Sequence, residues 1–480
     1  MFPIKVQDFV KEAAKQWPDK NALLDDKGCV TFSELQEAIE CLKEELVTQG
    51  VTAGCGLGVM ARNGRGFVIA VFAGLACGAT VMPLSHQLKG YELNNLLKEA
   101  PLHFILDDGH GVRAERLSEA VIPVDQENWC LSAINNKDEQ HFVPHVKDAA
   151  FVRFTSGTTG KSKGVVVSHQ AVAERTAAAQ QALNLTGDDV VVWVLPMAYH
   201  FIVSIVMYVR YGISMAICKD LFATSVIETI NKAQGTFLYA APMHYQMLSK
   251  DTSGIEIKSL KRAISTSSGI RSEVSEGFCQ RFGVEVHQAY GIIEIGLPVI
   301  NVGGASTKSI GVASPGFEVE ILDDEYQLLG AEEVGHLVMR GPGMFDAYMN
   351  PAIARNEVLV EGWFFTGDLA SKNSRGEITV EGREKSMINV AGNKVFPEEV
   401  EEVIAMFPGV KASHVYGEVH PMMGEIVVAE VQMLSEDIKA KEVRDHCRKN
   451  LSVYKVPQQI HLVDKIVMTD SGKIKRRKTS

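Results

Sequence analysis

The sequence contains no CxxC pair and no cysteine-histidine cluster at zinc-ligand spacing. Its eight cysteines, Cys29, Cys41, Cys55, Cys77, Cys130, Cys218, Cys279 and Cys447, are scattered. That excludes a zinc ribbon and offers no disulfide framework, so the thiols are expected to be reduced and mostly buried in a cytoplasmic protein. Basic charge is scarce too. The formal net charge is -11, whereas a nucleic-acid binder needs a basic surface to neutralise phosphates. The one dense basic run, Lys473-Ile474-Lys475-Arg476-Arg477-Lys478, lies at the end of the chain. The opening stretch, MFPIKVQDFVKEAAKQWPDK, is charged throughout and lacks the apolar core and cleavage site of a signal peptide, so nothing there is expected to direct export. The most apolar run, 67–83, contains Gly74, Gly78 and Thr80 and ends at Pro83. It is read as a buried helix followed by a buried strand, without stable membrane insertion. Internal repeats and low-complexity tracts are absent, which excludes an array architecture.

Hydrophobic residues make up 46% of the chain and charged residues 22%, the balance of a folded globular protein. Its 480 residues exceed what a single core usually supports, so two or more domains are expected. Helical periodicity over 31–49 and 92–100 alternates with short β-branched runs at 56–60, 79–83 and 103–107. This alternation predicts βα units in a mostly parallel sheet. A second series over 168–296 predicts strands at 190–195, 214–218, 236–240 and 284–288. From 311 to 381 the turn signals Asp323-Asp324-Glu325 and Gly341-Pro342-Gly343 punctuate strands expected to pair antiparallel. Helices are expected over 397–407 and 441–451, the first opened by Pro397 with Glu398 and Glu399 at its positive end.

The densest chemical signal is Phe154-Thr155-Ser156-Gly157-Thr158-Thr159-Gly160-Lys161-Ser162-Lys163-Gly164, set between two apolar runs. Its glycines, hydroxyls and lysines can present N–H, O–H and ammonium groups to a polyphosphate. It is not a Walker A loop, because the first glycine that motif requires falls at Thr155. A flexible polar turn is the alternative reading of such a stretch alone.

Four further segments follow in order: Gln288-Ala289-Tyr290-Gly291-Ile292-Ile293-Glu294, Gly362-Trp363-Phe364-Phe365-Thr366-Gly367-Asp368-Leu369, Gly382-Arg383-Glu384-Lys385 with Gly392 and Pro397, and Thr469-Asp470-Ser471-Gly472-Lys473. With them the chain resembles, along essentially its whole length, the adenylate-forming superfamily of acyl-CoA synthetases, nonribosomal peptide adenylation domains and luciferases. Its style is that of stand-alone acyl- or aryl-acid ligases. The resemblance implies an α/β fold with a large N-terminal domain of αβ subdomains and a small β-barrel-like part (1–384), then a small mobile α+β domain (385–480). It also implies a reaction with ATP and Mg2+ in which a carboxylic acid becomes an acyl-AMP, followed by acyl transfer to the thiol of CoA or of a carrier protein's phosphopantetheine.

By the same resemblance, Thr155, Ser156, Gly157, Thr158, Thr159 and Lys163 hold phosphates, while Ser268, Gly269, Tyr290 and Gly291 line the adenine site. Asp368 takes the ribose hydroxyls, although a turn or capping aspartate is its plainer reading. Arg383 forks onto ribose or phosphate, or forms a surface ion pair. Glu294 holds Mg2+, a hard cation suited to carboxylate and phosphate oxygens. Lys473 is the implied catalytic lysine of the first half-reaction, placed to stabilise charge growing between carboxylate and α-phosphate. Lys385 is the hinge, and Gly392 belongs to the thiol tunnel. His200 is implied as a gate beside the carboxylate, with a structural histidine as the alternative. Phe201, Met243, Ala289, Ile292, Ile295, Gly296 and Leu297 are the expected apolar wall, which suits a fatty or aryl acid. The segment 195–204 carries no acidic residue to pair an α-ammonium, which disfavours an amino-acid substrate. Three departures stand out: Ser162 for the usual proline, Ile293 for the usual threonine before Glu294, and Asn389-Val390-Ala391-Gly392 for a loop richer in glycine. They motivate one alternative, a catalytically weak or idle nucleotide-binding relative.

Overall fold

The computed structural model describes residues 4–135, 141–154, 163–301, 308–390, 393–420, 424–434, 438–451 and 453–466. The chain divides into two compact units, Met1–Glu318 with Arg340–Trp363, and Val319–Met339 with Phe364–Ser480.

The first unit contains two nine-stranded sheets. In one, strands Ala149–Phe154, Thr80–Ser85, Gly56–Ala61 and Phe104–Asp107 lie side by side and parallel. The antiparallel hairpin Ser118–Val124 and Glu127–Ala133 closes one edge. Gly164–Ser168, Ala347–Tyr348 and Ile353–Ala354 close the other, also antiparallel. In the second sheet, Val286–Ile292, Arg262–Ser265, Phe237–Ala240, Val190–Trp193, Ser214–Ile217 and Asn21–Asp25 run parallel in that order. Gly28–Thr31 flanks them on one side, and Gly296–Ile300 with Val312–Ala313 on the other.

Strands buried on both faces of a parallel sheet need unbroken apolar sequence. Val190-Val191-Val192-Trp193 and Phe237-Leu238-Tyr239-Ala240 supply it. The run expected to be a buried helix and strand is helix Arg65–Ala76 followed by Thr80–Ser85, and the strand is buried throughout. No helix among the described residues is long and apolar enough to cross a membrane. Helix Phe32–Thr48 starts at a reciprocal cap, in which Glu34 N–H donates to Thr31 Oγ1 at 3.2 Å while Thr31 N–H donates to the Glu34 carboxylate at 2.8 Å. Helix His169–Leu183 packs against strands of both sheets. Phe201 is fully buried beside Phe67, Phe72 and Phe151, with ring centroids 5.9, 5.7 and 6.2 Å away.

The expected strands are present. One differs in extent: the run predicted at 284–288 continues to Ile292, because its last residues pair with Gly296–Ile300 in a hairpin.

The second unit has a four-stranded antiparallel sheet, Glu318–Leu322, Gly335–Arg340, Phe364–Lys372 and Ile378–Arg383. Its other sheet orders Asn393–Val395, Ile388–Val390, Gly424–Met433 and Val410–His420, with Gln459–Leu462 parallel to Gly424–Met433. Helices Pro397–Ala405 and Ala440–Asn450 cover this sheet through Val400, Ile404, Val443 and Cys447, all without exposed surface.

Candidate active site

Strands Ala149–Phe154 and Gly164–Ser168 form an antiparallel pair in which Phe154 faces Gly164 and Arg153 faces Val165. The phosphate-loop segment joins them, and its residues Thr155, Ser156, Gly157, Thr158 and Thr159 lie outside the described residues. The arms are described, and each bears a cation. The Lys163 ammonium lies 4.4 Å from the centroid of the Tyr348 ring, a cation-π contact. The Arg153 guanidinium donates to the Tyr199 carbonyl and lies 5.2 Å from the Tyr199 ring.

Glu294 occupies the turn of the next hairpin, between Ile292 and Gly296, which are partners across it. Gly291 makes the tight return possible, since a Cβ there would meet the Gly296 carbonyl oxygen at 3.0 Å. Three contacts fix the turn. Phe345 N–H donates to the Glu294 carbonyl at 2.7 Å, buried Arg175 donates to the Ile293 carbonyl at 3.0 Å, and Tyr348 Oη donates to Glu294 Oε1 at 3.3 Å. Burial raises the Glu294 carboxyl above its ordinary range, opposed by its backbone and Tyr348 hydrogen bonds and by the positive charges of Arg153 and Lys163. Among the described residues no group of three histidine, cysteine, aspartate or glutamate side chains is arranged to hold a metal ion. A lone carboxylate such as Glu294 has the chemistry of one oxygen ligand to a hard cation whose other ligands are phosphate and water oxygens.

His200 ends the short helix Met197–His200, and a π-helical turn, Phe201–Ile205, follows it. Such wide turns recur at functional sites. Asn63 clamps the approach to this helix, accepting from Met197 N–H at 2.9 Å and donating to the Leu195 carbonyl at 2.8 Å. The His200 ring lies 5.9 Å from Trp193 and 6.3 Å from Tyr239, edge-on to both. Of the expected apolar wall, Phe201 and Ile295 have no exposed surface, Ala289, Gly296 and Leu297 are buried, Ile292 is half-buried, and Met243 is 46% exposed. Phe201 thus sits in the core between the layers. Ser268 and Gly269 are exposed on the loop after strand Arg262–Ser265, and Tyr290 is half-buried. The Gln288 side chain fixes that loop by accepting from Ile270 N–H at 3.1 Å.

In the second unit Asp368 and Arg383 are direct partners across neighbouring strands, and Arg383 Nε donates to Asp368 Oδ1 at 2.6 Å. The guanidinium expected to reach ribose or phosphate is here engaged by the aspartate itself. Asp368 is 4% exposed, and its N–H donates to Thr366 Oγ1 at 3.1 Å. Gly367 between them has φ 75° with no atom near its Cβ position, so backbone conformation rather than space calls for glycine. Lys385 lies in the one-turn helix Glu384–Ser386 directly after Arg383. Gly392 and Lys473 lie outside the described residues.

Residues 10–349 match the model of the AMP-binding enzyme family, and residues 399–473 match that of the AMP-binding enzyme C-terminal domain. The chain is an AMP-binding enzyme. It is 27% identical to 2-succinylbenzoate--CoA ligase of Listeria monocytogenes, over 98% of each chain. It is 28% identical to long-chain-fatty-acid--CoA ligase of Yersinia pestis, over 69% of this chain and 61% of that protein. Among solved structures it is similar to o-succinylbenzoate CoA synthetase from Bacillus subtilis in complex with the acyl-adenylate intermediate, with TM-score 0.85, 25% identity and coverage of 98% and 96%.

The protein is an AMP-forming acid–thiol ligase, and among the described residues its first unit offers such an enzyme the cations Arg153 and Lys163 from one sheet and the Glu294 carboxylate from a hairpin of the other. Reading from sequence missed Arg153, Arg175, Tyr348 and Asn63. Arg153 did carry a signal, being a charge inside an apolar strand, Ala149-Ala150-Phe151-Val152-Arg153-Phe154.

Proposed function

We propose that this AMP-binding enzyme uses ATP and Mg2+ to convert an apolar carboxylic acid, alkyl or aryl and lacking an α-ammonium group, into its acyl-AMP, and then forms the thioester of CoA. The observation that carries this reading is the end-to-end likeness to an acid–CoA ligase whose structure holds an acyl-adenylate. In the first step the acid's carboxylate oxygen attacks the α-phosphorus in line with the leaving pyrophosphate; one P–O bond forms as another breaks. Lys163 and the segment 155–159 bind the phosphates, with Tyr290, Gly291, Ser268 and Gly269 around the adenine. Asp368 accepts from the ribose hydroxyls, with Arg383 fixing its carboxylate. Glu294 would hold Mg2+, which when bound would neutralise phosphate charge. His200 borders the reacting carboxylate, and Lys473 stabilises charge between the two reacting oxygens.

In the second step the thiol sulfur attacks the acyl carbonyl, AMP leaves, and the thiol proton passes to solvent. The domain after Lys385 serves both steps by rotating at that hinge, which withdraws Lys473 and brings the Gly392 region to the thiol. CoA is the acceptor favoured by the relatives; a carrier protein's phosphopantetheine presents the same thiol. The eight unpaired cysteines suit a reducing cytoplasm. Pyrophosphate release from ATP and Mg2+ with a panel of fatty and aryl acids tests the reading. It fails if no acid raises release above that of Lys473→Ala.

A further inference from the structure

We infer that Arg153 is an anion-binding residue of this site, taking an anionic oxygen group of a bound ligand, either a nucleotide phosphate or the carboxylate of the acid. The identity of those two candidates rests on the ligase reading above; the site itself rests on the following geometry. A guanidinium has five N–H donors, yet among the described residues Arg153 makes one hydrogen bond, to the Tyr199 carbonyl. Its Nε is sealed from solvent and has no partner. Among the described residues neither Arg153 nor Lys163, on the other arm of the hairpin, forms an ion pair with a carboxylate; their ring contacts are with Tyr199 and Tyr348. Glu294, in the hairpin turn of the other sheet, is a carboxylate whose charge reaches both cations, so among the described residues two cations here face one carboxylate.

The placement of Arg153 agrees with this. Val152 and Phe154 pack on one face of the strand, in the cluster with Met60, Leu84 and Leu93. Arg153 turns to the other face, against Tyr199, the residue before the expected gate His200. Burial draws its guanidinium down to about 10, with Tyr199 and Glu294 opposing; it remains cationic at neutral pH. The Arg153 side chain is part-buried, and a cation held there without a carboxylate partner gives up solvation that an apolar side chain of similar length would not. Retaining arginine there is accounted for when the missing partner arrives with a ligand.

The test compares wild type with Arg153→Met in the full chain. Half-saturating concentrations of ATP and of acid are read from pyrophosphate release with octanoate, benzoate and malonate, and melting temperatures are taken alone and with ATP or AMP. The expectation is that Arg153→Met melts no lower than wild type without ligand, while half-saturation rises about tenfold to a hundredfold for the ligand whose anion Arg153 holds. A rise for ATP assigns the phosphate; a rise for the acid assigns the carboxylate. Half-saturations within twofold of wild type for both would overturn the inference. Should wild type release no pyrophosphate with any acid, the ligase reading falls, and the melting shifts still decide. Loss of the ATP and AMP shifts in the variant supports the anion site, and their retention overturns it. If Arg153→Met does not fold, Arg153→Gln, which can still donate to the Tyr199 carbonyl, carries the same comparison.

Discussion

His169 makes the attachment of the N-terminal segment dependent on pH. It is the first residue of helix His169–Leu183, 5% exposed, and its Nδ1 accepts from Val6 N–H at 3.1 Å. An accepting Nδ1 leaves the proton on Nε2, so the ring is neutral in the fold. Burial is the main reason its pKa falls from 6.5 to about 4; Lys5 lowers it further and Asp148 opposes. Between those values the unfolded chain binds more protons, so the stabilisation is complete above pH 6.5 and is lost as pH falls toward 4. The difference corresponds to about 3 kcal/mol in all, of which about 2 kcal/mol is lost by pH 5. The loss should appear first in helix Asp8–Gln16, which is fastened by Phe9, Val10 and Ala13 as well as by this bond. Hydrogen exchange of residues 4–16, corrected for intrinsic rates, should show roughly thirtyfold less protection at pH 5 than at pH 7. In His169→Asn, which keeps an acceptor but cannot titrate, the two values should converge. An equal pH effect in wild type and variant would refute the reasoning.

Three substitutions probe the chemistry. Asp368→Asn should raise half-saturating ATP by about tenfold to a hundredfold, while calorimetry shows a stability cost of under about 1 kcal/mol, because the Arg383 side chain is 43% exposed and loses only a screened pair. Glu294→Gln should cut pyrophosphate release about 10²-fold and blunt its response to titrated Mg2+. Burial raises the Glu294 carboxyl, so the fold loses stability as pH climbs from the ordinary carboxylate range to that raised value and no further, and melting temperatures should increasingly favour Gln across that window and level off above it. Lys473→Ala should slow acyl-AMP formation about 10²-fold to 10³-fold in single-turnover assays while ATP-induced melting shifts persist.

Much of this architecture was legible because parallel sheets impose a coarse pattern on sequence. Runs such as Val190-Val191-Val192-Trp193 read as strands covered on both faces, and that is what the fold shows. What could not be read depends on register and on distant contacts. Asp368 and Arg383 were assigned separate tasks, whereas antiparallel pairing sets them directly opposite each other. Tyr348 reaches Glu294 across 54 residues of sequence, and no periodicity announces such a hydroxyl. Phe201 looked like a pocket wall from its place after His200, but the wide turn there carries it into the Phe67, Phe72 and Phe151 cluster. Arg153 stands inside an apolar run, and a charge in such a run is the signal that it is held there for a reason other than packing.

Mass spectrometry of the products formed from ATP, Mg2+ and a mixed pool of alkyl and aryl acids tests the central claim most directly. An acyl-AMP should accumulate with release of pyrophosphate, and adding CoA should convert it to the matching acyl-CoA and AMP. If the protein binds ATP yet no acyl-AMP forms from any acid in the pool, the account is contradicted.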